Sequence, residues 1–115
     1  MAIDNANVID GMAIDKENIA LRLLLTDHLQ WEEGIDAVSE HDHLLMLQEK
    51  INAYISFIET EQYKNKYPDV EFKMAIIDMR FKYDITKNCE KFLQVVQDQI
   101  GQYGIKIEAR SVGEN

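Results

Sequence analysis

The feature that most constrains the fold is the stretch His43 to Phe57, HLLMLQEKINAYISF. Leu44, Leu47, Ile51, Tyr54, Ile55 and Ile58 recur in steps of three and four, which lines them along one stripe of an α-helix. Gln48, Glu49, Lys50, Asn52, Ser56 and Glu59 fall off that stripe. No glycine or proline interrupts the run, so it carries none of the helix-breaking cost, about 1 kcal/mol for Gly and about 3 kcal/mol for Pro. Ser39 with Asp42 three residues on resembles a capping box, and Glu40 and Asp42 suit the positive end of the helix dipole. Lys64 and Lys66 suit a last turn or the loop beyond it, and Pro68 forbids continuation. Leu45, Met46 and Phe57 widen the apolar arc, which predicts contact on more than one side.

The remaining segments read as what covers this helix. Val8 to Asp15 alternates weakly and is predicted as a strand, with Gly11 marking a bulge or a close backbone approach. Ile19 to Thr26 alternates more clearly, with Ile19, Leu21, Leu23 and Leu25 on one face. The short connection makes the two a hairpin. Asp27 to Glu40 breaks the pattern and is read as a loop with a single helical turn near Ile35 to Val38. Val70 to Tyr83 is predicted as a long strand and Lys87 to Tyr103 as a second helix, capped by Thr86 and ended by Gly104. Ile105 to Ala109 is a short last strand. The order is strand, strand, helix, strand, helix, strand. Right-handed crossovers then place both helices on one face of the sheet. The expected fold is an α+β two-layer sandwich with a four-stranded mixed sheet. A chain of 115 residues makes one domain, with residues 1–7 as a loose arm and 110–115 as a polar tail.

Charge and composition narrow the function classes. A net charge of −9 argues against nucleic acid and against anionic membrane surfaces, which are bound mainly through Lys and Arg. It permits a protein partner without naming one. The single cysteine, Cys89, allows no disulfide within the chain and fits a reducing compartment. Met1 to Gly11 has neither the basic nor the apolar region of a signal peptide, and no apolar run approaches the roughly 20 residues of a membrane span. A cytoplasmic protein is expected.

Two regions are candidates for function. The first is the corner from Asp27 to Asp42, where Asp27, His28, Trp31, Glu32, Glu33, His41 and Asp42 are read as an interaction surface. Trp31 serves there either as an anchor or as a lid residue tucked onto the core. His28, His41 and His43 with neighbouring acids are also the residue types of a metal enzyme. Their spacing matches no standard metal motif, and solvated polar residues at a helix start explain them more simply. No metal or other cofactor is implied. The second region is the sheet face turned away from the helices. Ala20, Leu24, Met74 and Ile76 lie there, and they predict an apolar patch covered by the arm, by the Asp27–Glu40 loop or by a second copy of the chain. Adjacent acids such as Glu32 and Glu33 are ordinarily solvating rather than catalytic, and Cys89 on the inner stripe of the second helix reads as a buried structural thiol. A Gly-rich phosphate loop, GxSxG and CxxC are all absent.

The segments LLLTDHLQWEE, EHDHLLMLQEKINAYISFIE, YPD before a long strand, and FKYDITKNCEKFLQVVQDQI resemble a family of short bacterial proteins classed as a domain of unknown function. The resemblance runs from about Asn7 to Glu108. It implies a bacterial origin and a self-contained domain, and it brings no catalytic residues. The loop between Trp31 and His41 is longer than the family pattern, so GIDAVSE reads as a local insertion. DHLQW and EHDHLL match on either side of it and direct attention to that corner.

Overall fold

The computed structural model of the chain describes residues 8–31 and 39–111. Its elements are β1 (Gly11–Asp15), β2 (Ala20–Asp27), α1 (Glu40–Glu59), a 3-10 turn (Gln62–Asn65), β3 (Met74–Phe81), α2 (Lys87–Ile100), a second 3-10 turn (Gly101–Tyr103) and β4 (Ile105–Ser111). The four strands form one mixed sheet in the order β1-β2-β3-β4. β1 pairs antiparallel with β2, while β2 with β3 and β3 with β4 are parallel. This is the expected α+β sandwich, because each parallel step must be bridged by a crossover helix. The loose arm of residues 1–7, the helical turn near Ile35 to Val38, and Glu32 and Glu33 lie outside the described residues. So does the tail beyond Ser111.

Side-chain alternation divides the sheet cleanly. Leu21, Leu23, Leu25, Ala75, Ile77, Met79, Phe81 and Ile105 face the helices and meet Leu47, Ile51, Tyr54, Cys89, Leu93 and Ile100 in one core. The helix starts follow their local sequences. Ser39 Oγ accepts from the Asp42 amide at 3.1 Å, and Thr86 Oγ1 accepts from the Cys89 amide at 3.1 Å. Gly104 ends the second helical stretch in the left-handed region, at φ 77°, as a helix-terminating glycine should. Gly11 sits in a tight approach rather than a bulge. A Cβ there would come within 3.2 Å of Leu24 Cβ, and the register against β2 is unbroken.

Several boundaries differ from expectation. The first strand begins at Gly11 instead of Val8, because Asp10 turns aside to bond Thr26 and Lys50. Ile19 is outside the strand, in the left-handed region at φ 51°, and closes the hairpin turn. The third strand is shorter than Val70 to Tyr83. The last turn of the second helix tightens to 3-10 geometry at Gly101. Arg110 and Ser111 belong to β4 and not to a tail, since both continue the pairing with β3.

The stripe of α1 is also rotated from the one expected. Its buried line is His43, Leu47, Lys50, Ile51 and Tyr54, so Lys50 lies on the inner face, not off it. Leu45 is 45% exposed, so the widened arc is not contacted all round. Lys50 is accommodated because its Nζ donates to the Val8 carbonyl at 2.9 Å and to Asp10 Oδ1 at 3.1 Å. Tyr54 completes the cluster. Its hydroxyl donates to the Leu24 carbonyl at 2.5 Å and accepts from the Asp10 amide at 2.9 Å. Burial, with the nearby Asp10, pushes the phenol far above its ordinary range. This cluster satisfies backbone groups of β2 that the shorter β1 leaves unpaired.

Candidate functional site

The corner singled out in sequence is present, but most of it is interior. Asp27 ends β2 and extends the core-facing set Leu21, Leu23, Leu25 by one more step, which makes it 2% exposed. Its Oδ2 meets His43 Nε2 at 2.5 Å, and its Oδ1 accepts from the Leu29 amide at 3.1 Å. A carboxylate can only accept, which places the imidazole proton on Nε2. Trp31 lies flat on His43, with ring centroids 3.6 Å apart and an interplanar angle of 17°, and it meets the Phe81 ring at a tilt, 6.4 Å away. Trp31 is therefore the tucked lid of the two roles expected. Among the described residues neither Trp31 Nε1 nor His43 Nδ1 has a hydrogen-bond partner. His28, His41 and Asp42 are exposed.

Cys89 sits nearby in the first turn of α2, fully buried, where burial and then the charges of Asp27 and Glu40 push its thiol up to about 12. It packs in the core. Glu40 ties the two helix starts together by accepting from Asn88 Nδ2 at 3.0 Å. Contacts to Thr86 and then Asn88 hold its carboxyl below the usual range. His43 is occupied by Asp27 in the interior while His28 and His41 face solvent. Among the described residues no three His, Cys, Asp or Glu side chains gather as metal ligands would.

The helix-free face of the sheet carries charge beside its apolar side chains. Ala20 and Ile76 are 0% and 1% exposed, and Leu24 and Met74 are half-buried. On the same face lies an ionic array built from alternate residues of all four strands. Asp78, in the middle of β3 and 1% exposed, is its centre. Arg22 from β2 donates through Nη1 to Asp78 Oδ2 at 3.1 Å and to Glu108 Oε1 at 3.0 Å, and through Nη2 to Asp15 Oδ2 at 3.1 Å. Arg80 reaches back to Asp78 Oδ2 at 3.1 Å. Arg110 from β4 stands 3.9 Å from Asp78 Oδ1, and Lys106 stands 3.7 Å from Glu108. Burial raises the Asp78 carboxyl, but the hydrogen bonds and charges of Arg80 and Arg22 outweigh it and leave the group below its ordinary value. Arg22 moves the opposite way. Its desolvation is overcome by Glu108, Asp15 and Asp78, which hold the guanidinium firmly charged.

The arrangement is a set of guanidinium groups fixed by carboxylates from neighbouring strands. It presents pre-positioned guanidinium groups, with the Arg80 and Arg110 side chains 44% and 58% exposed. Arg22, Arg80, Lys106 and Arg110 gather there against Asp15, Asp78 and Glu108, in a chain with 12 basic and 21 acidic residues. The face is thus the locally basic side of an acidic protein. Neither Asp78 nor Arg80 is among the residues that the sequence singles out. The available signal was an acid in the middle of an otherwise apolar strand, which must find cations or lose its charge. Among the described residues no helix is long and apolar enough to cross a membrane.

The family expectation is met by the comparison with known proteins. A model described as a family of unknown function, DUF6572, matches residues 1–113. No curated protein and no solved structure matches the chain.

Proposed function

We propose that this chain, which belongs to the DUF6572 family, is a non-enzymatic interaction domain of the bacterial cytoplasm that binds a protein partner through the helix-free face of its sheet. The observation that carries the reading is the ring of Arg22, Arg80 and Arg110 around buried Asp78. Arginine is the charged residue most enriched at binding hot spots, and one already held in position loses less freedom on binding. The partner surface that fits is acidic, because Arg80 and Arg110 carry the exposed part of the array. The groove between the helices does not compete as a reaction centre. Its lining is apolar and amide, with Ile51, Ile55, Phe92, Val96, Gln48 and Gln99, and it brings no ionisable groups together. A buried, unpaired Cys89 suits a reducing compartment.

The test is capture of partners from a bacterial lysate by the wild-type protein and by Arg80→Glu, compared by quantitative mass spectrometry. The expected result is an acidic protein retained by the wild type, lost at least tenfold in the variant, and released by salt. Equal retention by both proteins, or retention of nothing above a control, ends the proposal.

A further inference from the structure

The two edges of the sheet are finished differently. On one side the short β1 leaves backbone groups of β2 to be closed by Asp10 and Tyr54. On the other, β4 is an edge strand. Its parallel pairing with β3 runs in the register Ala75↔Ile105, and the Ala75 amide donates to the Gly104 carbonyl at 2.9 Å. That geometry turns the N–H and C=O groups of Ile105, Ile107, Ala109 and Ser111 outward. The Gln97 side chain of α2 occupies the first two outward positions. Its Nε2 donates to the Ile105 carbonyl at 3.1 Å, and its Oε1 accepts from the Ile107 amide at 2.7 Å. Beyond Gln97, the Ile107 carbonyl, both backbone groups of Ala109 and the Ser111 amide face outward, with no strand of the described residues beside them. Such an edge is a template for another strand.

We propose that the occupant is a second copy of this chain, with the two β4 strands antiparallel about a two-fold axis at Ala109, joining the two four-stranded sheets into one. Three features select this pairing. First, Ala109 of each copy exchanges both of its backbone hydrogen bonds with Ala109 of the other, and each Ser111 amide donates to an Ile107 carbonyl. Second, Glu108 of each copy stands directly opposite Arg110 of the other, in the closely spaced, non-hydrogen-bonded position where opposite charges stabilise the pairing. Third, the competing register centred on Ile107 would also bring unlike charges together, Lys106 against Glu108, but Gln97 already holds the Ile107 amide. The surface beside the edge fits as well. A groove of about 370 Å³ between α2 and β4, lined by Leu93, Gln94, Ile107 and Ala109, has room for the small Ala109 and Ser111 side chains of the second copy. A two-fold pairing of identical surfaces is the commonest way for one chain to close on itself. The two surfaces share Arg110, but Ala109 belongs to this pairing alone and Arg80 to the acidic-partner face alone, so either can fail without the other.

The experiment is light scattering on the full chain after size exclusion, over a hundredfold range of concentration. The expected wild-type mass is about twice 13.4 kDa. Ala109→Pro removes the central N–H and lies on an outward-facing edge position, where proline is tolerated. Arg110→Glu sets acid against acid. Each is expected to weaken the dimer at least tenfold with an unchanged circular dichroism spectrum. Mixing Arg110→Glu with Glu108→Arg restores both charge pairs in a heterodimer, so the mixture is expected to recover the dimer mass that neither variant shows alone. A monomeric wild type, a dimer that either Ala109→Pro or Arg110→Glu leaves intact, or a mixture that stays monomeric overturns the proposal. Should Ala109→Pro lose its fold, Arg110→Glu and the mixing experiment decide. Arg80→Glu lies away from this edge and leaves the mass unchanged, so loss of partner binding and loss of the dimer are read separately.

Discussion

Asp27 and Asp78 are two buried aspartates on neighbouring parallel strands, and they are put to opposite uses. Asp27 faces the helices, is 2% exposed, and is joined to one imidazole that is itself covered by Trp31. Asp78 faces away from them, is 1% exposed, and is bound by arginines whose side chains are partly exposed. The first pair is sealed in low dielectric, where removing one partner strands the other. The second is shielded by side chains whose own ends reach water, which weakens each contact but leaves the guanidinium groups available. Equal burial of a carboxylate therefore does not mean an equal role. The exposure of its partners separates a structural lock from a binding platform.

The comparison breaks most easily at Asp27. Asp27→Ala leaves His43 and the Leu29 amide without their acceptor inside the core and is expected to cost about 3–5 kcal/mol, the range for breaking a buried pair. Urea unfolding measures it directly. Asp78→Asn keeps the shape of its site and loses charge-assisted bonds to partly solvated arginines, so about 1–2 kcal/mol is expected in the same experiment. A cost at Asp78 equal to that at Asp27 would erase the distinction.

The thiol of Cys89 sharpens the comparison from the helix side. Being buried and pushed up to about 12, it is expected to resist a thiol reagent at pH 8 in the native protein and to react once the chain unfolds. Asp27→Ala is expected to speed that reaction at least tenfold in the absence of denaturant, while Asp78→Asn leaves it slow.

The pH dependence tests the other face. The folded Asp78 carboxyl lies below the ordinary aspartate value of 3.8, so its contribution is fully present above that value and is lost as the pH falls through the lower folded value. Stability measured from pH 5 downward is expected to fall more steeply in the wild type than in Asp78→Asn. Parallel curves would show that the arginine ring does not hold the carboxylate as described.

The smallest expected effect serves as a baseline away from both aspartates. Ile19 holds φ at 51°, a region costly for a β-branched residue and tolerated by asparagine. Ile19→Asn is expected to stabilise the fold by about 0.5–1 kcal/mol, seen as a small rise in thermal midpoint.

The sequence by itself determined the local features of the molecule. The element order, the caps at Ser39 and Thr86, the stop at Gly104 and the core-facing set of each strand follow from rules that act within a few residues. The burial of Asp27 and His43 was legible in principle, since Asp27 continues the odd-numbered set of β2 and His43 lies one turn before Leu47. Lys50 belongs to the buried line by position, three residues after Leu47 and four before Tyr54, although its charge points the other way. Only the tertiary structure decided the character of the open face. Ala20, Leu24, Met74 and Ile76 read as an apolar patch as long as the chain is taken in order. The same face also holds Arg22, bound to Asp78 across 56 residues of sequence and to Glu108 across 86. No periodicity encodes such a bond. Strand order and register bring the groups within reach, and those are properties of the assembled sheet.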